Sequence, residues 1–501
     1  MRRSILAAVC LATVLSGVAH AQTLRIALRE DPDILDPTLA RTYVGRIAFA
    51  GLCDKLFDIN EKLEIVPQLA LSYAWTDPTS LVVKLRPGVK FHDGETLDAA
   101  AVKYSLERHL TMQGSFRRSE INVMDRVEVV DPLTVRIMLK TASSPFVSQL
   151  TDRAGMIVSP KAAEATGKDF GLHPVCAGPF RFVERVPQDR IVLERFPGYW
   201  DAEAIKLDRV IYLPIPDSSI RLANLQAGSI ELSEQILPTD ADAVRSDKRL
   251  HLVTSDNLGS SYITINLGNG PRAKTPLGSD ARVRQAFELS LDKATINQVV
   301  YNGLYTPVSQ GLSPSSPYYD KAVEPRERDV ARAKALLKEA GAALPVPIAL
   351  TVANNPDQRQ TGEIIQAMAA EAGFDVKITT SEFASALAAA NRGEFEAFAN
   401  GWSGRVDPDG NLFSFLHSTG GQNDGKYANP QVDALLDRAR AVQDVAGRRA
   451  LYDQVLDQTS KDLPIVYLNN PKNVVGMSAR VTGFRPVPDG MIRLQGLGLA
   501  K

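Results

Sequence analysis

From residue 346 to residue 399 the chain alternates strand-like and helix-like runs without a break. Segments 346–352, 374–379 and 394–399 read as strands, and 356–372 and 383–392 read as helices. Gly341 and Gly373 end helices, and Asp329 opens the helix over 330–340. Such alternation needs parallel strands joined by helical crossovers, and sheets of that kind place ligands at the carboxyl ends of their strands. It confines this part of the chain to the α/β class.

The third strand, EFEAFA, puts Phe395, Ala397 and Ala399 on one side and Glu394, Glu396 and Phe398 on the other. It leads into 400–411, NGWSGRVDPDGN. A loop holding Gly401, Trp402, Ser403 and Arg405 at a strand end offers a flat apolar face and a five-donor cation. The alternative is a surface turn whose Trp packs on a helix and whose Arg is solvated. Further along, 432–441 and 448–459 are amphipathic, with Leu435, Leu436 and Leu456 as core residues, and 464–468 is apolar.

The first half is richer in turns. Residues 24–28 and 81–86 alternate as strands, 51–57 is apolar at helical spacing, and 89–92 reads as a second strand before an Asp93–Gly94 turn. Asp98 stands where it caps a helix over 99–109. At 501 residues the chain exceeds what one core sustains, about 250–300 residues, so two or more domains are expected.

The N-terminus has the form of a signal peptide. Arg2 and Arg3 precede an apolar run, and Ala19, His20 and Ala21 form a small-x-small cleavage site. The run is shorter than the ~20 residues of a membrane span. A soluble secreted chain beginning near Gln22 is expected, residues 1–21 being removed. The formal charge of −1 then becomes −3, since two arginines leave, and no basic block points to nucleic acid. Cys10 leaves with the leader, and Cys53 and Cys176 remain as an even pair in an oxidising compartment. One disulfide is suggested; two buried free thiols are the alternative.

Catalytic patterns are not found. No histidine stands in H-E-x-x-H or beside a cysteine, and no G-x-S-x-G elbow or P-loop lysine is present. Asp407, Asp409 and Asn411 begin like a calcium loop, but Leu412 holds the sixth position where the sharp turn needs glycine. No cofactor, no metal and no enzymatic activity are expected. Arg117 and Arg118 read as a solvated face or as salt-bridge partners rather than an anion site.

Residues 85–94, LRPGVKFHDG, followed by 98–106, DAAAVKYSL, resemble the signature of the family 5 extracellular solute-binding proteins. These serve ABC importers of peptides, nickel chelates, opines and related solutes. Further landmarks stand in the family's order: AGPF at 177–180, FPGYW at 196–200, RLANLQAG at 221–228, VRQAF at 283–287 with Asp292, and Gly401–Trp402 with Asp407 and Asp409. One departure is Ala101, where the family has an acid that helps cap the helix. Its loss should cost ~0.5 kcal/mol.

The resemblance implies an α/β, two-lobed periplasmic binding protein of type II, with an extra subdomain over about 54–172 in lobe one. Lobe one would comprise 22–262 and 470–501, and lobe two 263–469, with hinges near 262–266 and 468–473. The expected role is a monomeric periplasmic protein that captures a peptide-like or carboxylated solute and delivers it to an ABC permease and its ATPase. A secreted hydrolase is the competing class, and a nickel chelate, opine or sugar the competing ligands. Ligand contacts are expected from Gly401, Trp402, Ser403 and Arg405, and from Tyr43, Asn266 and Asn354. In dipeptide-binding relatives an acid in the Gly–Trp loop holds the peptide amine and an Arg before the Asn–Pro holds its carboxylate. Here Arg405 and Val352 stand in those places. An ammonium facing Arg405 would be repelled by several kcal/mol at an effective dielectric of ~20, so an anionic ligand anchored on Arg405 is expected. Cys53 and Cys176 fall in stretches the family places at the base of lobe one.

Overall fold

The computed structural model describes residues 22–500, so the signal-peptide expectation for 1–21 lies outside the described residues. Two large mixed sheets organise the chain. The first runs in the order Leu250–Asp256, Lys472–Ser478, Leu232–Ser233, Thr23–Leu28, Arg209–Pro214, Arg190–Arg195, Phe180–Val186. The second runs Thr306–Pro307, Ile465–Asn470, Ser260–Ile265, Ala397–Trp402, Val346–Ala353, Phe374–Ser381. Each has its own apolar core, with Leu24, Ile26 and Val210 fully buried in the first and Ile263, Leu350 and Val466 in the second. Burying each such side chain contributes roughly 1.5–3 kcal/mol.

The strand–helix alternation forms one edge of the second sheet. Val346–Ala353 pairs in parallel with both Phe374–Ser381 and Ala397–Trp402, and Pro356–Ala372 and Phe383–Asn391 are the crossovers. The rest of that sheet is antiparallel. The strand expected over 394–399 lies instead at Ala397–Trp402, so Gly401 and Trp402 are ladder residues, not loop residues. Ser260–Ile265 supplies the reason: it pairs antiparallel from Ser260↔Trp402 to Ile265↔Ala397 and satisfies backbone groups that a free loop would leave to water.

A third, four-stranded antiparallel sheet runs Ala70–Asp77, Ser80–Leu85, Thr134–Leu139, Met124–Asp131 and packs against the helix Ala99–Thr111. Asp98 caps that helix by accepting from Ala101 N at 3.0 Å. The strand expected over 89–92 is not formed, because Ser80–Leu85 already has a neighbour on each side. The segment folds on itself instead, with Lys90 bridged to Thr96 and Gly94 at φ +86°. The helical reading of 51–57 is likewise displaced: the helix is Tyr43–Leu52, capped by Thr42. Cys53 and Cys176, joined by a disulfide, bracket the stretch holding this sheet.

The chain passes between the two large sheets at 257–259 and again at Pro471. Three asparagines tie these crossings together. Asn257 Nδ2 donates to Asn473 Oδ1 at 2.6 Å, Asn470 Nδ2 donates to Gly259 O at 2.6 Å, and Asn473 Nδ2 donates to Asp256 O at 2.7 Å. Gly259 is required here, since a Cβ would lie 1.7 Å from the Trp402 carbonyl oxygen.

Candidate functional site: a charged cleft between the two sheets

A cleft of about 1220 Å³, open solvent at its mouth included, lies between the two sheets. One wall comes from strand ends of the second sheet: Ala353 with Asn355 and Asp357 after it, Ala399 to Ser403, and Ser260 to Tyr262. The other comes from the carboxyl end of Thr23–Leu28, which delivers Arg29 and Glu30, from Glu234 and Gln235 after Leu232–Ser233, and from Arg41, Thr42 and Tyr43.

Local structure fixes these groups. Asn355 caps Pro356–Ala372 by accepting from Gln358 N at 3.0 Å, with Pro356 in the first turn, so Asp357 sits at the mouth of a helix. Thr42 caps Tyr43–Leu52 and donates to Asp33 Oδ1 at 2.8 Å. Tyr43 OH donates to Gly490 O at 2.8 Å, and the Arg29 guanidinium lies 4.8 Å from its ring centroid. Trp402 donates its indole N–H to Asn411 Oδ1 at 2.9 Å, and its ring packs edge-to-face on Phe415 at 5.0 Å.

The cleft carries both signs of charge. Burial opposes the charge of Arg29, but Glu234 and Glu30 outweigh it and raise its pKa above the ordinary range. Burial pushes the Glu30 carboxyl up to about 8, with Arg29 pulling the other way and Glu234 adding to the rise. Burial also raises Asp357, against the pull of Arg221.

The expected site residues divide. Gly401, Trp402, Ser403 and Tyr43 line the cleft. Asn354 is exposed and accepts from Arg359 at 3.0 Å, and its neighbour Asn355 faces the cleft instead. Asn266 is fully buried; its Nδ2 donates to Asn269 O and Phe395 O at 2.9 and 2.8 Å, holding the start of the second sheet. Val352, in the place of the dipeptide-anchoring Arg, is buried in the core.

Arg405 requires the main correction. It does not line the cleft and pairs with neither nearby acid. Its Nε lies 2.6 Å from Asp152 Oδ2, Nη1 donates to Gly404 O at 2.7 Å, and the guanidinium stacks 4.2 Å from the Trp402 ring centroid. Asn411 clamps the loop, accepting from Arg405 N and donating to Arg405 O at 2.8 and 2.9 Å, which turns the side chain behind Trp402. Asp407 and Asp409 pair instead with Arg448 and Arg440. Arg117, expected to be solvated or paired, is fully buried and donates to Glu120 at 2.6 Å.

Sequence reasoning passed over Arg29, Glu30, Glu234 and Asp357. The signal was available: Arg29 and Glu30 directly follow a strand, and Asp357 opens the helix after one, so the carboxyl-edge rule applied to every strand would have found them.

A cleft between two α/β sheets that the chain links at two crossings is the geometry of a solute trap. Residues 64–423 match the description "Bacterial extracellular solute-binding proteins, family 5 Middle". The chain belongs to this family. A glutathione-binding protein, GsiB, of Pectobacterium atrosepticum is 32% identical over 515 residues, covering 100% of this chain and 99% of that one. The periplasmic binding protein DppA from Helicobacter pylori, in complex with peptide STSA, superposes with a TM-score of 0.87 at 25% identity over 96% of this chain and 98% of the other. The binding protein AgaA from A. tumefacien R10, in complex with agropinic acid, gives 0.87 at 26% identity over 96% and 99%. The family 5 chain is therefore a two-lobed solute-binding protein of an ABC importer. Family 5 proteins are periplasmic and work with permease and ATPase subunits, and the relatives matched are binding proteins rather than enzymes.

Proposed function

We propose that this family 5 protein captures a small zwitterionic peptide bearing carboxylates, with glutathione as the first candidate, and hands it to its permease in the periplasm. The observation that carries this reading is the cleft's charge layout: Glu30 and Asp357 are buried carboxyl groups that an arriving ammonium would ionise and pair with, and Arg29 offers donors to a carboxylate. With Arg405 behind Trp402, the reason to disfavour a free amine disappears. The full-length likeness to a glutathione-binding protein points the same way.

In this reading the bounds expected at 262/263 and 469/470 shift to the crossings at 257–259 and Pro471, which are the pivots, so that the lobes are 22–256 with 472–501 and 260–470, and residues 54–172 form a subdomain of the first. The protein acts as a monomer after loss of residues 1–21. Trp402, Gly401, Ser403 and Tyr43 shape the pocket, and Arg405 positions Trp402. Titration calorimetry of the mature protein with reduced glutathione tests the reading. Saturable binding is expected, weakened roughly ten- to a hundredfold by Glu30→Gln or Asp357→Asn if either holds the amine. Saturation by short peptides with no heat from glutathione would move the assignment to peptides at large.

A further inference from the structure

Behind Trp402, at the seam between the two large sheets, four arginines converge on two carboxylates. Arg46, Arg117, Arg153 and Arg405 are at most 9% exposed, as are Asp152 and Glu120. The partners are unevenly shared. Asp152 takes Arg405 Nε at 2.6 Å and Arg46 Nε at 3.0 Å, and Arg117 takes Glu120 at 2.6 Å. Arg153 Nη1 donates to Ala40 O at 2.8 Å, and Arg117 Nη2 donates to the same oxygen at 3.3 Å. Arg153 is left with only a 3.9 Å approach to Asp152.

Among the described residues, Arg153 Nε and Nη2, Arg117 Nε and Arg405 Nη2 are buried donors without a hydrogen-bond partner, against two acceptors in the cluster, Asp152 Oδ2 and Glu120 Oε2, that lack one, and Asp152 Oδ2 already lies 2.6 Å from Arg405 Nε. Nε and Nη2 are the side edge of one guanidinium, the fork whose spacing matches the two oxygens of a carboxylate or similar oxyanion. Four cations against two anions leave a buried positive surplus, an arrangement that is strongly unfavourable unless it is compensated. Burial, reinforced by the neighbouring Arg117, accordingly depresses the Arg153 pKa.

We propose that the Arg153 fork, with Arg117 and Arg405, holds a small two-oxygen anion at this seam, so that the site is complete only when the two lobes meet. Arg405 comes from the second sheet's side and the other three arginines from the first's. The anion is either a free oxyanion or a carboxylate of the bound solute entering past Ser403 and Thr42. Ser403 accepts from Arg46 Nη1 at 2.8 Å, Thr42 O lies 3.5 Å from Arg153 Nη1, and both residues line the cleft.

Formate is the probe. Added to the ligand-free mature protein at constant ionic strength, it should raise Tm saturably and more than chloride, which offers one acceptor atom to the fork where formate offers two. Arg153→Gln should weaken the apparent formate affinity roughly ten- to a hundredfold. If that variant does not fold, Arg405→Gln and the line width of 13C-formate titrated into the unaltered protein carry the test. Loss of the formate effect at saturating glutathione would make the anion a solute carboxylate, and persistence would make it free; either upholds the site. No saturable formate effect beyond chloride in the unaltered protein would overturn it, whatever glutathione does.

Discussion

The segment around Arg405, Asp407 and Asp409 contains two kinds of buried charge. Asp409 and Arg440 form a one-to-one pair, with Nε and Nη2 at 2.7 and 2.9 Å from the two carboxylate oxygens and the guanidinium 3.2 Å from the Phe413 ring centroid. Asp407 and Arg448 pair equally closely, at 2.6 and 2.8 Å. Arg405, two residues before Asp407, enters instead a group where arginines outnumber acids. The matched pairs tie Asp407 and Asp409, at the start of the helix Asp409–Leu416, to Val445–Asp462 and Pro430–Ala441, so each pair is closed within the second sheet's side even where Arg440 reaches on to Ser119 O and Asn122. The mismatched group spans the seam. Charge balanced within a lobe serves the fold; charge left unbalanced between lobes is available to a third party.

Three measurements sharpen or break that contrast. The largest effect should come from Arg440→Met. It leaves Asp409 buried with Gln149 as its remaining partner and removes donors to Ser119 O and Asn122, a loss of about 3–5 kcal/mol in denaturant unfolding. Arg405→Met should cost less, about 1–3 kcal/mol. Asp152 keeps Arg46, and a like charge leaves the cluster, so part of the lost contact with Trp402 is offset. Equal losses for the two variants would mean that the cluster carries no surplus. The third effect is spread over a pH range and concerns the cleft. Glu30 has its pKa raised from 4.5 to about 8 by burial, with Arg29, Glu234, Glu382 and Asp33 as the surrounding charges. The folded protein therefore binds the extra proton, and this contribution to stability is full below pH 4.5 and lost as pH rises through 8. Calorimetric scans across that window should slope downward for the parent, and the Glu30→Gln protein should slope less.

How far the sequence could be read follows the range of the interactions. The bounds of Pro356–Ala372 were legible because local chemistry sets both ends: Asn355 caps the start, and Gly373 takes φ +101° at the close. The strand expected over 394–399 was misplaced because its ladder partner, Ser260–Ile265, lies far away in sequence. Trp402 was found at the cleft from its place beside a strand end. Arg405 was expected at the cleft from the same place in sequence, but its partner Asp152, more than 250 residues earlier, draws the side chain behind Trp402. The family and the two-lobed form rested on ordered motifs across the chain and so survived these local errors.

The two chain crossings are unlike as mechanical parts. One spans three residues and includes Gly259; the other is Pro471 alone. A proline ring holds φ near −65° and presses the preceding residue toward extended backbone, which Asn470 already adopts as the last residue of its strand. The second link therefore has little torsional slack, and most of the rotation must be taken up by 257–259. A joint with one loose bearing and one stiff one has few routes between open and shut. The lobes should swing along nearly the same arc each time, returning Trp402 and the arginines behind it to the same register against the opposite wall.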